Sequence, residues 1–368
     1  MHGRSAGLTG QTLRRSLVMT VVLATMAGSL SSAEAEIVGQ RVAGNLRQSV
    51  AFTFDERDRL WVVEKQVGSI HVQNLGTGNR RRFFRIPDVY GRGGQGLLGI
   101  ALHPNFPDAP WVYAFATRLI GGKPVDQLVR IRSVDGRGTR MQTLLSSPAG
   151  SAHMHSGGRI VFGPDGMLYV MIGDATTAAK AQELRSFRGK VLRVTPSGGI
   201  PDDNPIDGSR VFTWGLRNSF GMAFDPGSRR LWETDNGPEC NDELNRLQPG
   251  RNFGWGPNAT CSGSAPRNTN QDGPNPVLPE RWFTPPIAPT GVAFCDGCRL
   301  GPKSERSLLF GDYITGTLWR ARLSPNRLRV ARLEKLARPS GQILSLESGP
   351  NGRLYYSTYT GVWRLVRR

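Results

Sequence analysis

The sequence predicts an all-β fold, a six-bladed β-propeller over residues 36–368, and three observations carry that prediction. A strand–turn–strand phrase recurs six times at a spacing of roughly 50 residues, the interval of propeller blades. The turns are built from Pro, Asp, Asn and Gly, and the chain holds 46 Gly and 25 Pro, as many short strands require. Helical periodicity is confined to a short turn over residues 178–184.

The copies follow in order. Val50 to Phe54 and Leu60 to Val63 flank the turn Asp55–Arg59, and Leu98 to His103 precedes a strand at Trp111 to Ala116. Gly158 to Phe162 and Met167 to Val170 flank Gly163-Pro164-Asp165-Gly166. The fourth copy is Gly221 to Phe224, Asp225-Pro226-Gly227 and Leu231-Trp232. Gly291 to Phe294 opens the fifth, and Ile343 to Leu346 with Gly349 to Gly352 and Leu354 to Tyr356 forms the sixth. Third strands of Gly-x-Leu-x-Arg character follow at Gly189, Gly316 and Gly361. The apolar alternation gives each strand one buried face. A ring removes the long open edges of so large a sheet, and residues 36–46 are placed to complete the last blade. The long second and fourth intervals would also accommodate a seventh blade.

Residues 1–35 lie outside this repeat. Arg14 and Arg15 precede an apolar run from Leu17 to Leu30, and Ser31-Ser32-Ala33-Glu34-Ala35 follows. A basic start, a short apolar run and an Ala-x-Ala exit read as a signal peptide cleaved after Ala35. The run is shorter than the ~20 residues of a membrane span, so no transmembrane segment is expected in the mature chain. Arg14-Arg15 fits either a twin-arginine or an ordinary signal. The expected location is periplasmic or secreted. There, Cys240, Cys261, Cys295 and Cys298 would form two disulfides. Cys295 with Cys298 could close a tight loop, with Cys240 and Cys261 as the other bridge, but the sequence leaves the pairing open. A zinc site competes for the Cys-x-x-Cys, but no His pair accompanies it, and the lack of Cys-x-x-Cys-His argues against covalent haem.

The formal net charge is +18. Residues 1–35 contain three Arg and one Glu, so the mature chain carries 18 − 2 = +16. The basic residues are scattered, without aromatic interleaving, and read as a solvated surface rather than a nucleic-acid site.

Chemistry in a propeller gathers in the loops at one end of the channel, and four segments concentrate it. They are His153-Met154-His155-Ser156-Gly157-Gly158-Arg159 with Gly163-Pro164-Asp165-Gly166 and Ile172-Gly173-Asp174; Trp214-Gly215-Leu216-Arg217-Asn218; Asp235-Asn236-Gly237-Pro238-Glu239 with Asn241-Asp242-Glu243-Leu244-Asn245 and Gly250 to Trp255; and Gly94-Gln95-Gly96-Leu97-Leu98-Gly99. Gly91, Gly93 and Gly96 satisfy a dinucleotide fingerprint, but no helix follows and no βαβ unit surrounds it, so a nicotinamide site is rejected. A histidine beside a carboxylate suits removal of a hydroxyl proton, because the carboxylate holds the imidazole in one tautomer. Backbone and carboxylate oxygens suit a hard cation such as calcium.

Together these segments resemble the soluble PQQ-dependent glucose/sorbosone (aldose sugar) dehydrogenase family over nearly the whole mature chain, most strongly from Gly94 to Trp255. The resemblance implies His155 as base, with His153 as the fallback, and Asp174 as its orienting carboxylate. It implies Arg217 and Asn218 at the quinone, Gln95 near the place of a substrate-side glutamine, and the carbonyls of Gly237 and Pro238 as calcium ligands. Asp242 or Glu243 would serve a second calcium. PQQ and Ca2+ are the implied cofactors, a sugar the substrate, and an external electron acceptor the further partner.

The chain departs from the family pattern late. Where familiar members place a lysine in the fifth repeat and two arginines before the last, this chain reads Gly311-Asp312-Tyr313-Ile314-Thr315-Gly316 and Ser340-Gly341-Gln342-Ile343-Leu344. Two functions follow. One is a calcium- and PQQ-dependent dehydrogenase oxidising the anomeric hydroxyl of aldoses or related polyols. The other is a redox-inactive relative that binds a ligand or protein, with a calcium-dependent lactonase a distant third.

Overall fold

The computed structural model describes residues 36–368; the signal segment read from residues 1–35 lies outside the described residues. Six antiparallel sheets follow one another along the chain and form a six-bladed propeller. Blade 1 is built from Phe52–Phe54, Arg59–Glu64, Ser69–Asn74 and Arg80–Arg85, and blade 2 from Leu97–Leu102, Trp111–Ile120, Lys123–Val134 and Arg137–Pro148. Blade 3 holds Ile160–Phe162, Leu168–Ile172, Lys190–Val194 and Val211–Trp214, with Arg251–Asn252 added in parallel at its edge. Blade 4 is Ser219–Phe224, Leu231–Asp235, Asp242–Arg246 and Arg281–Phe283, and blade 5 is Pro289–Phe294, Leu308–Asp312, Leu318–Leu323 and Val330–Ala337. Blade 6 takes Ser345–Ser348, Leu354–Thr358 and Gly361–Arg367 from the C-terminus and Ile37–Ala43 from the other end. That last strand pairs antiparallel with Gly361–Arg367, Ile37 opposite Arg367 and Ala43 opposite Val362, so the closing strand sits where the sequence placed it. The long second interval is taken up by the extended strands of blade 2 and the fourth by loop, leaving no seventh blade.

The recurring turn acts as a brace. Asp55 accepts hydrogen bonds from the Arg57 and Arg59 amides (3.1 and 3.0 Å) and from Trp61 Nε1 (2.8 Å). Asp165 accepts from the Met167 amide (3.1 Å), the Tyr169 hydroxyl (2.9 Å) and Arg193 Nε (2.9 Å). In both turns a carboxylate satisfies the turn's amides and pins an aromatic residue of the next strand. The anchored rings then fill the space between blades: Trp61 meets Phe83 and Phe106 at centroid distances of 4.8 and 5.5 Å, and Tyr169 meets Phe212 and Phe224 at 5.0 and 4.9 Å. The two expected disulfides pair Cys240 with Cys261 and Cys295 with Cys298, which leaves no thiol for zinc among the described residues.

Each blade's first strand touches its counterparts on both sides around the axis. The approach is close enough to exclude a side chain at three places. A Cβ on Gly99 would lie 2.1 Å from the Gly158 carbonyl oxygen, one on Gly221 2.1 Å from that of Thr290, and one on Gly291 2.1 Å from the Leu346 nitrogen. These neighbours are backbone and cannot step aside cheaply. Gly291→Ala is therefore expected to destabilise the fold by about 1–3 kcal/mol, the usual cost of overpacking. A lowered urea or thermal midpoint would show it, whereas an unchanged midpoint would mean that the blades separate freely.

Candidate active site

The loops that enter the first strands, together with those that follow the second strands, enclose a cavity of about 550 Å³ at one mouth of the channel. All six blades contribute: Gln48 and Lys65, Gly94 and Leu98, His155 and Arg159, Asn218 and Asn236, Thr290 and Tyr313, Leu344 and Tyr359. A second cavity of about 310 Å³ lies at the other mouth. Arg159 lines both, and its ion pair with Glu347 (3.5 Å) stands between them.

His155 reaches the larger cavity from a tightly wound loop. Its own backbone is left-handed at φ 56°, and Gly157 and Gly158 follow at 67° and 99°. The adjoining Gly173 has no room for a side chain, since a Cβ would sit 2.2 Å from the His155 carbonyl oxygen. This approach brings His155 Nδ1 within 2.8 Å of Asp174 Oδ1. Asp174 is itself held: the Thr176 amide donates to Oδ1 (2.7 Å) and Trp255 Nε1 to Oδ2 (2.8 Å). With the carboxylate on Nδ1, that nitrogen carries the proton of the neutral ring and Nε2 is left as an acceptor. The arrangement has the geometry that a general base with an orienting carboxylate requires. His153 is differently engaged. Its Nδ1 meets Gln95 Oε1 at 3.1 Å, its ring lies 5.4 Å from that of Tyr90, and Gln95 donates to the Gly150 carbonyl at 2.8 Å. Gln95 is thus buried beneath the loop and is not among the cavity-lining residues.

Two buried carboxylates shape the facing wall. Asp235 accepts from the amides of Arg217 (2.7 Å) and Asn218 (2.6 Å). Asp242 accepts from those of Gly237 (2.8 Å), Ile287 (2.7 Å) and Ala288 (2.7 Å). Asn218 and Asn236 line the cavity directly. Arg217 stands behind them, its Nη1 on the Asn236 carbonyl (2.8 Å) and its guanidinium 5.3 Å from the Trp255 ring centroid. Burial lowers its pKa, opposed by Asp235, Asp174 and Asp242. Gly237, Pro238, Asp235 and Glu243 rim a small adjoining enclosure with Arg217 and Trp255. At Gly237 a Cβ would meet the Cys240 and Asn241 carbonyl oxygens at 2.1 and 2.7 Å, so carbonyls crowd this turn. Burial, with Asp235 as neighbour, pushes Glu243 up to about 8.

The profile of the glucose/sorbosone dehydrogenase family matches residues 46–367 of this chain. The chain belongs to that family. It is 28% identical to the aldose sugar dehydrogenase of Escherichia coli K12 over 94% of this chain and 96% of that one. It is 32% identical to the quinoprotein glucose dehydrogenase B of Acinetobacter calcoaceticus over 58% of this chain and 51% of that one. Among solved structures it resembles the PQQ-bound aldose sugar dehydrogenase of Streptomyces coelicolor, with 27% identity, 91% and 99% coverage and a TM-score of 0.77.

Against this dehydrogenase-family background the late departure has a clear location. The wall supplied by blades 5 and 6 consists of Ala288, Thr290, Tyr313, Leu344 and Tyr359, with no cation among them. The Tyr313 and Tyr359 hydroxyls lie 3.2 Å apart and form a lip at the mouth. Sequence reading gave no role to Trp255 or Lys65. The indole partner of Asp174 comes from 81 residues away, and only folding brings it there.

Two measurements follow from this geometry. Nitrogen-15 NMR of the imidazole should show His155 as the Nδ1–H tautomer, and Asp174→Ala should release that preference; a neutral Nε2–H form in the unsubstituted protein would contradict it. Asp126, on the blade 2 strand beside the Ser156 loop, is raised by burial from 3.8 to about 6, opposed by the Thr117 and Ser156 hydroxyls. The folded protein therefore holds this proton where the unfolded chain has lost it, and stability falls as pH rises through that window. Comparing urea midpoints below and above that window, Asp126→Asn should show the smaller fall, and an identical fall would exclude Asp126 as its source.

Proposed function

We propose that this protein is a PQQ- and calcium-dependent dehydrogenase that oxidises the anomeric hydroxyl of aldose sugars or related polyols. The observation that carries the reading is His155, with Asp174 on Nδ1, at the wall of a cavity faced by Asn218 and Asn236. The residues present suit the cofactors in chemical kind. Gly237 and Pro238 would offer carbonyl oxygens to calcium, in a turn already crowded with carbonyls and beside buried carboxylates. Of the two candidates for a second calcium, both oxygens of Asp242 are engaged with backbone amides, whereas Glu243 faces the enclosure. Asn218 would contact the quinone end of PQQ, with the Arg217 charge behind it. When bound, PQQ supplies the two-electron acceptor for the hydride.

The chain's own residues handle the proton. His155 takes the hydroxyl proton of the sugar at Nε2, and Asp174 stabilises the imidazolium that results. Trp255 and the Thr176 amide keep Asp174 from turning away. Arg217 places positive charge behind Asn218, where negative charge would develop on the ligand. The mature chain, residues 36–368 as a single domain after removal of the signal peptide, would work in the periplasm or outside the cell, and an external acceptor would restore the oxidised state. Among the described residues no helix is long and apolar enough to cross a membrane.

The cation-free wall of blades 5 and 6 favours one second reading, a redox-inactive propeller that binds a ligand or protein. Purified protein should be supplied with PQQ and Ca2+ and assayed for dye reduction across a panel of aldoses. The expected result is calcium-dependent turnover that drops about 100- to 10,000-fold in His155→Ala, the usual range for a lost general base. Asp174→Asn should lower kcat while leaving PQQ binding in place. Absence of PQQ binding by calorimetry would overturn the dehydrogenase reading in favour of the second.

A further inference from the structure

Lys65 brings a buried ammonium group to the cavity without a counter-ion. It follows the strand Arg59–Glu64 of blade 1, is 7% exposed, and lines the cavity wall. Its Nζ makes one hydrogen bond, 2.5 Å to the Gly93 carbonyl. An ammonium has three N–H donors, so two remain without a protein partner. Lys190, also buried, shows what a self-sufficient lysine looks like here: its Nζ donates to the carbonyls of Lys180, Ala181 and Arg188 at 2.7, 2.9 and 2.7 Å. Arg159, the other lysine or arginine on the cavity wall, already has Glu347. Burial alone lowers the pKa of Lys65, with no carboxylate working against it. An unpaired buried charge is costly, and one that opens on a cavity is satisfied when an anion enters.

We propose that Lys65 is the carboxylate anchor of the cavity, gripping an anionic group of the bound ligand from blade 1 in place of the cations that blades 5 and 6 lack. Gln48, whose carbonyl accepts the Lys65 amide at 3.1 Å, lies on the same wall. This rests on the dehydrogenase reading above, in which the cavity takes PQQ, a quinone bearing carboxylates. The same chemistry would suit the carboxylate of an acidic sugar, so the test separates the two sources.

Calcium-loaded protein is titrated with PQQ, and separately with glucuronate, by calorimetry. Lys65→Met is expected to weaken PQQ binding on the order of 10- to 100-fold, the weight of a lost charge-assisted contact. Adding Tyr313→Lys to Lys65→Met, which returns a cation to the blade 5 wall, should recover part of that loss. If Lys65→Met spares PQQ and weakens glucuronate alone, the anchored carboxylate belongs to the substrate. Unchanged binding of both ligands overturns the role of Lys65 but leaves the dehydrogenase reading standing. No binding of either ligand to the unsubstituted protein overturns both. Should Lys65→Met not fold, reductive methylation of the unsubstituted protein decides: saturating ligand should shield Lys65 while exposed Lys123 still reacts, and equal labelling of Lys65 with and without ligand refutes the anchor.

Discussion

Everything functional in this molecule follows from how closely six strands crowd one axis. At Gly99, Gly221 and Gly291 the neighbouring backbone stands where a Cβ would be, so the blades meet main chain to main chain. With so little room at the axis, Arg159 and Glu347 suffice to stand between the two mouths. Crowding also forces the chain to turn sharply as it enters each inner strand. In blade 3 that sharpness puts His155 into a left-handed backbone conformation and aims it at the cavity.

The mouth is organised by buried carboxylates rather than by apolar packing. Asp235 gathers the turn at residues 217–218, Asp242 joins Gly237 to the turn at residues 287–288, and Asp174 ties His155 to Trp255. Each acidic group accepts from backbone amides, joined at Asp174 by an indole N–H, which is the fixed-donor arrangement that preorganisation uses. Burial still shows in the protonation equilibria, since Glu233, Asp235 and Glu243 are all pushed upward. Asp235, Asp174 and Asp242 surround Arg217, a cation whose charge opposes their mutual repulsion there.

Propeller and ring closure were legible because each depends on local signals, the repeated Asp-bearing turn and the alternating first strand, and the even cysteine count pointed to two disulfides without fixing their pairing. The contact of His155 with Asp174 was legible for a similar reason, since the glycines that let them meet lie beside them in the chain. What sequence reading missed depends on distance in the chain or on burial. Trp255 reaches Asp174 across 81 residues, and although it ends a segment of family character, nothing local pairs it with that carboxylate. Gln95 sits in a segment of family character, yet its amide is used within the protein, by Gly150 and His153. Lys65 looks like an ordinary strand-end lysine until the fold shows that it is buried and lacks a counter-ion.

The Arg159–Glu347 pair has a consequence for the order of events. With that pair behind it, the larger cavity is reached from its own mouth of the channel. Whatever lies deepest must enter first and leave last. A tightly held group at the floor can serve many shallower visitors in turn, but two visitors cannot pass one another on the way in and out. Under the dehydrogenase proposal, sugar and electron acceptor would then use the same opening in turn.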